Sequence, residues 1–87
     1  MKMEKHMNAT AIKNRINQCA TLFGFVFNGK DGNVDPYYIP ETNSIEFLLY
    51  FDGDEQTVYD IEDVMNTPFI EGKTLAEVAD QIRITEW

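Results

Sequence analysis

The sequence predicts an α+β domain: a small antiparallel sheet of about three to five strands, with an N-terminal helix and one or two C-terminal helices packed on one face. Three observations predict it. Apolar residues recur at helical spacing near the start, alternate strictly in the middle, and follow two helix-start signals near the end.

The first helix is expected over residues 10–23. Ile12, Ile16, Cys19, Ala20 and Phe23 form one stripe, Asn8 or Thr10 caps the start, and Gly24 provides the stop. Cys19 on that stripe reads as a small buried hydrophobe rather than a nucleophile. Residues 25–27 form a short strand. Asn28-Gly29 and Asp31-Gly32 are turn dipeptides, so a hairpin or wide loop follows. Residues 34–39 are extended, but Pro36 and Pro40 demote them to an edge strand or to no strand.

Residues 41–44 turn the chain into its clearest strand, 45–51. There Ile45, Phe47, Leu49 and Phe51 share one face, and Glu46, Leu48 and Tyr50 share the other. A turn at 52–55 leads to a returning strand at 56–59. Asp60 caps a short helix ending before Thr67-Pro68, with Glu62 and Asp63 in its first turn. Thr74 and Glu77 make a capping box ahead of the stripe Leu75, Val78, Ala79 and Ile82. Residues 83–87 form a last strand, with Trp87 tucked onto the sheet or meeting a partner.

With 87 residues the chain holds one domain. Residues 1–7 read as a polar preamble, non-native or disordered, and 8–87 as the domain. Six Phe, four Tyr and one Trp supply a core. The single cysteine forbids an internal disulfide and points to a reducing, cytoplasmic setting. No run of about 18 apolar residues is present, so no spanning helix is expected.

The net charge of −8 is unevenly spread. Residues 1–30 carry a net +4 and residues 31–87 a net −12, with no Lys or Arg from Asp31 to Gly72. Phosphate binding needs clustered cations, so no direct nucleic-acid partner is expected, and an anionic membrane repels such a chain. A basic protein surface attracts it.

Enzyme motifs are missing. There is no phosphate loop, no nucleophile elbow and no histidine pair at metal spacing, and Ser44 is the only serine. No cofactor is implied. Asp52, Asp54 and Asp63 echo the calcium-loop positions one, three and twelve, but Thr57 replaces the required glycine and Asp63 the longer glutamate. Asp31, Asn33 and Asp35 have similar spacing, with Pro36 where the glycine belongs. Both sets read as turn acids, and no metal site is assigned.

One feature has a functional edge. Asp52, Asp54, Glu55, Asp60, Glu62 and Asp63 lie within twelve residues without a base. Each also has a local reason to be there, as a turn former or at a helix start. Ordinary surfaces mix signs, however. Acids two apart on a strand stand roughly 6–7 Å apart, like a line of phosphates. These six are the expected partner-binding residues, and the expected partner is a basic protein surface such as that of a nucleic-acid-binding enzyme. Tyr37, Tyr38, Tyr50 and Tyr59 are read first as half-buried strand residues, and otherwise as a binding rim beside the acids.

The stretch from Asp52-Gly53-Asp54-Glu55 through Val58-Tyr59, then Val64-Met65-Asn66-Thr67-Pro68-Phe69, Gly72-Lys73-Thr74-Leu75 and Ile84-Thr85-Glu86-Trp87, resembles a group of short acidic proteins of bacterial mobile elements. The resemblance covers most of the chain from about Asn8 and brings no catalytic residues. It implies a context in which small acidic proteins act as anti-restriction or anti-CRISPR inhibitors, or as immunity proteins against nucleases. The leading expectation is therefore a non-enzymatic, nucleic-acid-mimicking binding protein. The alternative is a structural or regulatory accessory that associates through apolar surface, as a homodimer by an edge strand near Val34 or Trp87.

Overall fold

The computed structural model describes residues 8–19 and 21–87. The expectations for residues 1–7, the Cys19 side chain and Ala20 lie outside the described residues. The elements follow the order α1 (Ala9–Cys19), β1 (Phe23–Phe27), β2 (Lys30–Ile39), β3 (Ser44–Phe51), β4 (Asp54–Val58), α2 (Ile61–Asn66), α3 (Leu75–Val78) and β5 (Arg83–Glu86). The strands form one antiparallel sheet in the order β4-β3-β2-β1-β5. The first four make a meander, and β5 returns beside β1. The α+β expectation holds, with five strands and three helices among the described residues.

Several strand boundaries differ from expectation, and each has a physical reason. Phe23 fits a helical stripe, but it also begins the alternation Phe23, Phe25, Phe27. The second period prevails because β1 is hydrogen-bonded on both sides, by β2 and β5. The helix therefore ends at Cys19, and Gly24 is a strand residue opposite Glu86 rather than a helix stop.

The second correction concerns β2. It runs unbroken through Asp31, Gly32 and Pro36 and lies at the centre of the sheet, so Asp31-Gly32 is not a turn and Val34 is not on an edge. Pro36 is tolerated because β1 pairs with β2 only as far as Val34. Beyond that point β2 pairs with β3 alone, and no second ladder requires a donor from residue 36. Asn28-Gly29 makes the hairpin by itself, in a two-residue loop with both φ angles positive, as a type I′ turn requires. Asp52-Gly53 does the same between β3 and β4, so that strand starts at Asp54.

The core lies between the sheet and the three helices. Phe23, Phe25, Val34, Phe47, Leu49, Phe51 and Val58 face it from the strands. Ile12 and Ile16 of α1, Val64 and Met65 of α2, and Leu75 and Val78 of α3 cover them. Fully burying a side chain of this size contributes about 1.5–3 kcal/mol. Gly32 is fixed by this packing: the Phe25 and Phe51 rings stack with centroids 6.3 Å apart, and a Cβ on Gly32 would lie 2.4 Å from Phe25 Cζ.

Local caps hold the short helices. Asp60 accepts a hydrogen bond from the Asp63 N–H at 2.9 Å, and Thr74 and Glu77 form the reciprocal capping box. Trp87 is tucked in. Its ring meets Phe23 edge-on at 5.6 Å, and the Arg15 guanidinium lies 4.8 Å from its centroid while donating to the Trp87 carbonyl. Among the described residues, no helix is long and apolar enough to cross a membrane.

Candidate functional site

The helices cover one face of the sheet and leave the other uncovered. Strand alternation decides what that open face carries. With Val34 and Pro36 buried, β2 presents Asp31, Asn33, Asp35 and Tyr37 outward; with Phe47, Leu49 and Phe51 buried, β3 presents Glu46, Leu48 and Tyr50. Next to them β4 presents Glu55 and Thr57, and Tyr59 follows at its end. The pairing sets these residues in rungs: Asn33, Tyr50 and Glu55 in one, Asp35, Leu48 and Thr57 in the next, Tyr37 and Glu46 in the third.

Tyr37 is 40% exposed and Tyr59 67%, whereas Leu48 and Tyr50 are half-buried. The Tyr37 hydroxyl donates to Glu46 Oε1 at 3.2 Å. Partial burial, then the neighbouring Glu46 carboxylate, hold the Tyr37 phenol above its ordinary pKa. Among the described residues, no basic side chain forms an ion pair with Asp31, Asp35, Glu46 or Glu55. The strands β2, β3 and β4 contribute no base to this face; Arg83 of β5 joins it at the sheet edge, in the rung of Val26 and Asp31. Of the four tyrosines, Tyr37, Tyr50 and Tyr59 gather beside the open face. Tyr38 lies on the opposite side of β2, paired across the strands with Ile45 where the helical cover has ended.

The acids at 52–63 are adjacent in sequence but do not form one patch. Asp52 sits in the β3–β4 turn and Asp54 begins β4 opposite Phe51, on the helical side. Only Glu55 points to the open face, opposite Tyr50. Asp60, Glu62 and Asp63 cap and start α2, beyond the other end of β4, which separates the two groups by roughly 15 Å. Nor are they all without a base. Lys13 of α1 pairs with Glu62, and Lys30 Nζ stands 3.8 Å from Asp52 Oδ2.

Lys30 organises the end of the molecule where the tight turns meet. It bonds Glu71 Oε2 at 2.8 Å, and Asn28 Nδ2 donates to Glu71 Oε1 at 3.2 Å. Glu71-Gly72 is a further pair with positive φ, closed by reciprocal backbone bonds between Ile70 and Lys73. The Lys30–Glu71 hydrogen bond raises the Lys30 pKa and lowers that of Glu71. Beside this knot a cleft of about 300 Å³ opens between the β3–β4 turn and the 68–72 segment, with Phe51 and Phe69 as its apolar walls. Lys30 already serves the two acids at its mouth, Asp52 and Glu71.

No group of three or more His, Cys, Asp or Glu side chains able to hold a metal occurs among the described residues. Sequence reading named Glu55 and the tyrosines but not Asp31, Asp35 and Glu46 as partners of one surface. The signal stands in the alternation of residues 45–51, whose second face carries Glu46, Leu48 and Tyr50. The missing fact was the pairing of β2, β3 and β4, which brings acids distant in sequence into neighbouring rungs. The chain matches no protein-family model, no curated protein and no solved structure.

Proposed function

We propose that this chain is a non-enzymatic binding protein that occupies a basic protein surface, of the kind a nucleic-acid-handling enzyme presents. One observation carries the reading: an uncovered sheet face whose charges on β2, β3 and β4 are all acidic, interleaved with tyrosine. Ordinary surfaces intersperse both signs. Interfaces favour tyrosine, which buries a ring while keeping its hydroxyl hydrogen-bonded. Carboxylates spaced along neighbouring strands offer a cationic groove what a phosphate line offers it. The mobile-element resemblance supplies a setting in which such inhibitors are made.

The expected docking surface is the open face, with Glu55 shared between it and the 52–63 run. The remaining acids of that run steer encounter from the periphery. Two variants test this: one with Asp31, Asp35, Glu46 and Glu55 changed to amides, the other with Asp52, Asp54, Asp60, Glu62 and Asp63 changed likewise. Each folded variant is used as bait beside the parent in host lysate at low and high salt. A nucleic-acid-binding protein held by the parent, weakened by salt and lost from the first variant is the expected outcome. Retention of the same partner by both variants would remove the acids from the explanation. In that case association through apolar surface, such as the exposed Tyr38–Ile45 pair, becomes the better account.

A further inference from the structure

The open face carries a repeated unit. Tyr37 stands directly across from Glu46, and Tyr50 directly across from Glu55. Directly opposed residues have Cβ atoms about 4.5–5.5 Å apart. Each couple therefore puts an aromatic ring beside a carboxylate on the same side of the sheet. Glu46 and Tyr50 are four residues apart on β3, so the two couples repeat after roughly 13 Å. Leu48, half-buried between them, provides an apolar floor.

The two kinds of cation use such a couple differently. A lysine ammonium is a compact, strongly hydrated charge that gains from the carboxylate alone. An arginine guanidinium is planar, weakly hydrated and able to stack on a ring while its edge bonds a carboxylate in bidentate fashion. Resting on the basic-partner reading above, we propose that the open face is a receptor for two arginine side chains of a protein partner. One is held at Tyr37–Glu46 and the other at Tyr50–Glu55. The occupant is thus a partner segment whose arginines stand roughly 13 Å apart, the separation of residues i and i+4 in an extended chain. Charge complementarity selects it, since β2, β3 and β4 bring no cation of their own to the face.

The test uses the full chain and two synthetic extended peptides. One has arginines at positions i and i+4, and the other has lysines at the same positions. At low salt the arginine peptide should bind about tenfold tighter, the preference two exposed ring contacts supply. Its guanidinium-side methylene protons should shift upfield under the tyrosine rings in NMR spectra of the parent complex, a readout that needs no variant. The double variant Tyr37→Leu with Tyr50→Leu should bind both peptides equally, at the level of the lysine peptide. Equal, salt-sensitive affinities for the two peptides in the parent, with no upfield shift, would overturn the arginine receptor and leave the basic-partner reading in place. Failure of both peptides to bind at low salt would overturn both.

Discussion

The two faces of the sheet are written by the same strands one residue out of step, yet they have opposite chemistry. On the covered face the rungs read Phe23–Val34–Leu49 and Phe25–Gly32–Phe51, and no charged or polar residue is buried there among the described residues. On the open face the neighbouring rungs read Asn33–Tyr50–Glu55 and Asp35–Leu48–Thr57. The covered face holds the molecule together by excluding water. The open face needs water or a partner, because its carboxylates remain solvated. Two-residue periodicity thus lets one set of backbone bonds support a core and a charged surface separated only by the sheet itself.

Breaking the covered face gives the largest expected effect. Gly32→Ala places a methyl group 2.4 Å from Phe25 Cζ and 2.9 Å from Phe51 Cδ1. Phe25 cannot retreat easily, because its ring also packs tilted on Phe23 at 5.9 Å and edge-on to Phe69 at 6.4 Å. Overpacking of this kind costs about 2 kcal/mol. Urea denaturation should show a lower midpoint with an unchanged slope. A midpoint equal to the parent's would mean that the ring stack yields to a methyl group and that the covered face is loosely packed at Gly32.

The covered face is largely legible in the sequence. The alternation of Phe47, Leu49 and Phe51, the Asp60 cap and the Thr74–Glu77 box all stand in the structure as the sequence implies, because each depends on neighbours within a few positions. What failed were inferences requiring distant partners. Phe23 satisfied both a helical and a strand period, and its pairing with Val34 of β2, in a strand flanked on its other side by β5 about sixty residues later, decides between them. Pro36 argued against a central strand, and only the point where β1 stops makes it acceptable. The acid run looked uncompensated because Lys13 and Lys30 are remote in sequence. The open face was the least legible, since its acids come from three strands and are consecutive nowhere.

At the turn end Lys30 pairs with Asp52 and Glu71, whereas Asp31, Asp35, Glu46 and Glu55 of the open face have no ion pair among the described residues. The Lys30 hydrogen bond holds the Glu71 carboxyl below the ordinary carboxylate range. A lowered pKa means that the contribution to stability is full above that range and is lost as pH falls through the folded-state value. The parent should therefore lose stability relative to Glu71→Gln on acidification from neutral pH toward about pH 3, where carboxylates become protonated. The difference is read from urea midpoints of the two proteins at each pH. A difference that does not change with pH would show that Glu71 contributes through its backbone turn alone.

The smallest effect tests whether an open-face carboxylate and its tyrosine act as a unit. Tyr37 ionises above the ordinary phenol range, first because burial disfavours the phenolate and then because Glu46 accepts a hydrogen bond from its hydroxyl and repels the phenolate charge. Glu46→Gln leaves the burial in place and removes the negative charge. The Tyr37 pKa should fall toward the ordinary value without reaching it, followed by NMR of the ring carbon bearing the hydroxyl. Glu55→Gln, in the rung that holds Tyr50, should leave the Tyr37 titration where it was. If instead both substitutions shift Tyr37 equally, the face acts as a diffuse field of negative charge and not as discrete tyrosine–glutamate couples. A diffuse field attracts any cation, whereas discrete couples can distinguish a flat guanidinium from a round ammonium.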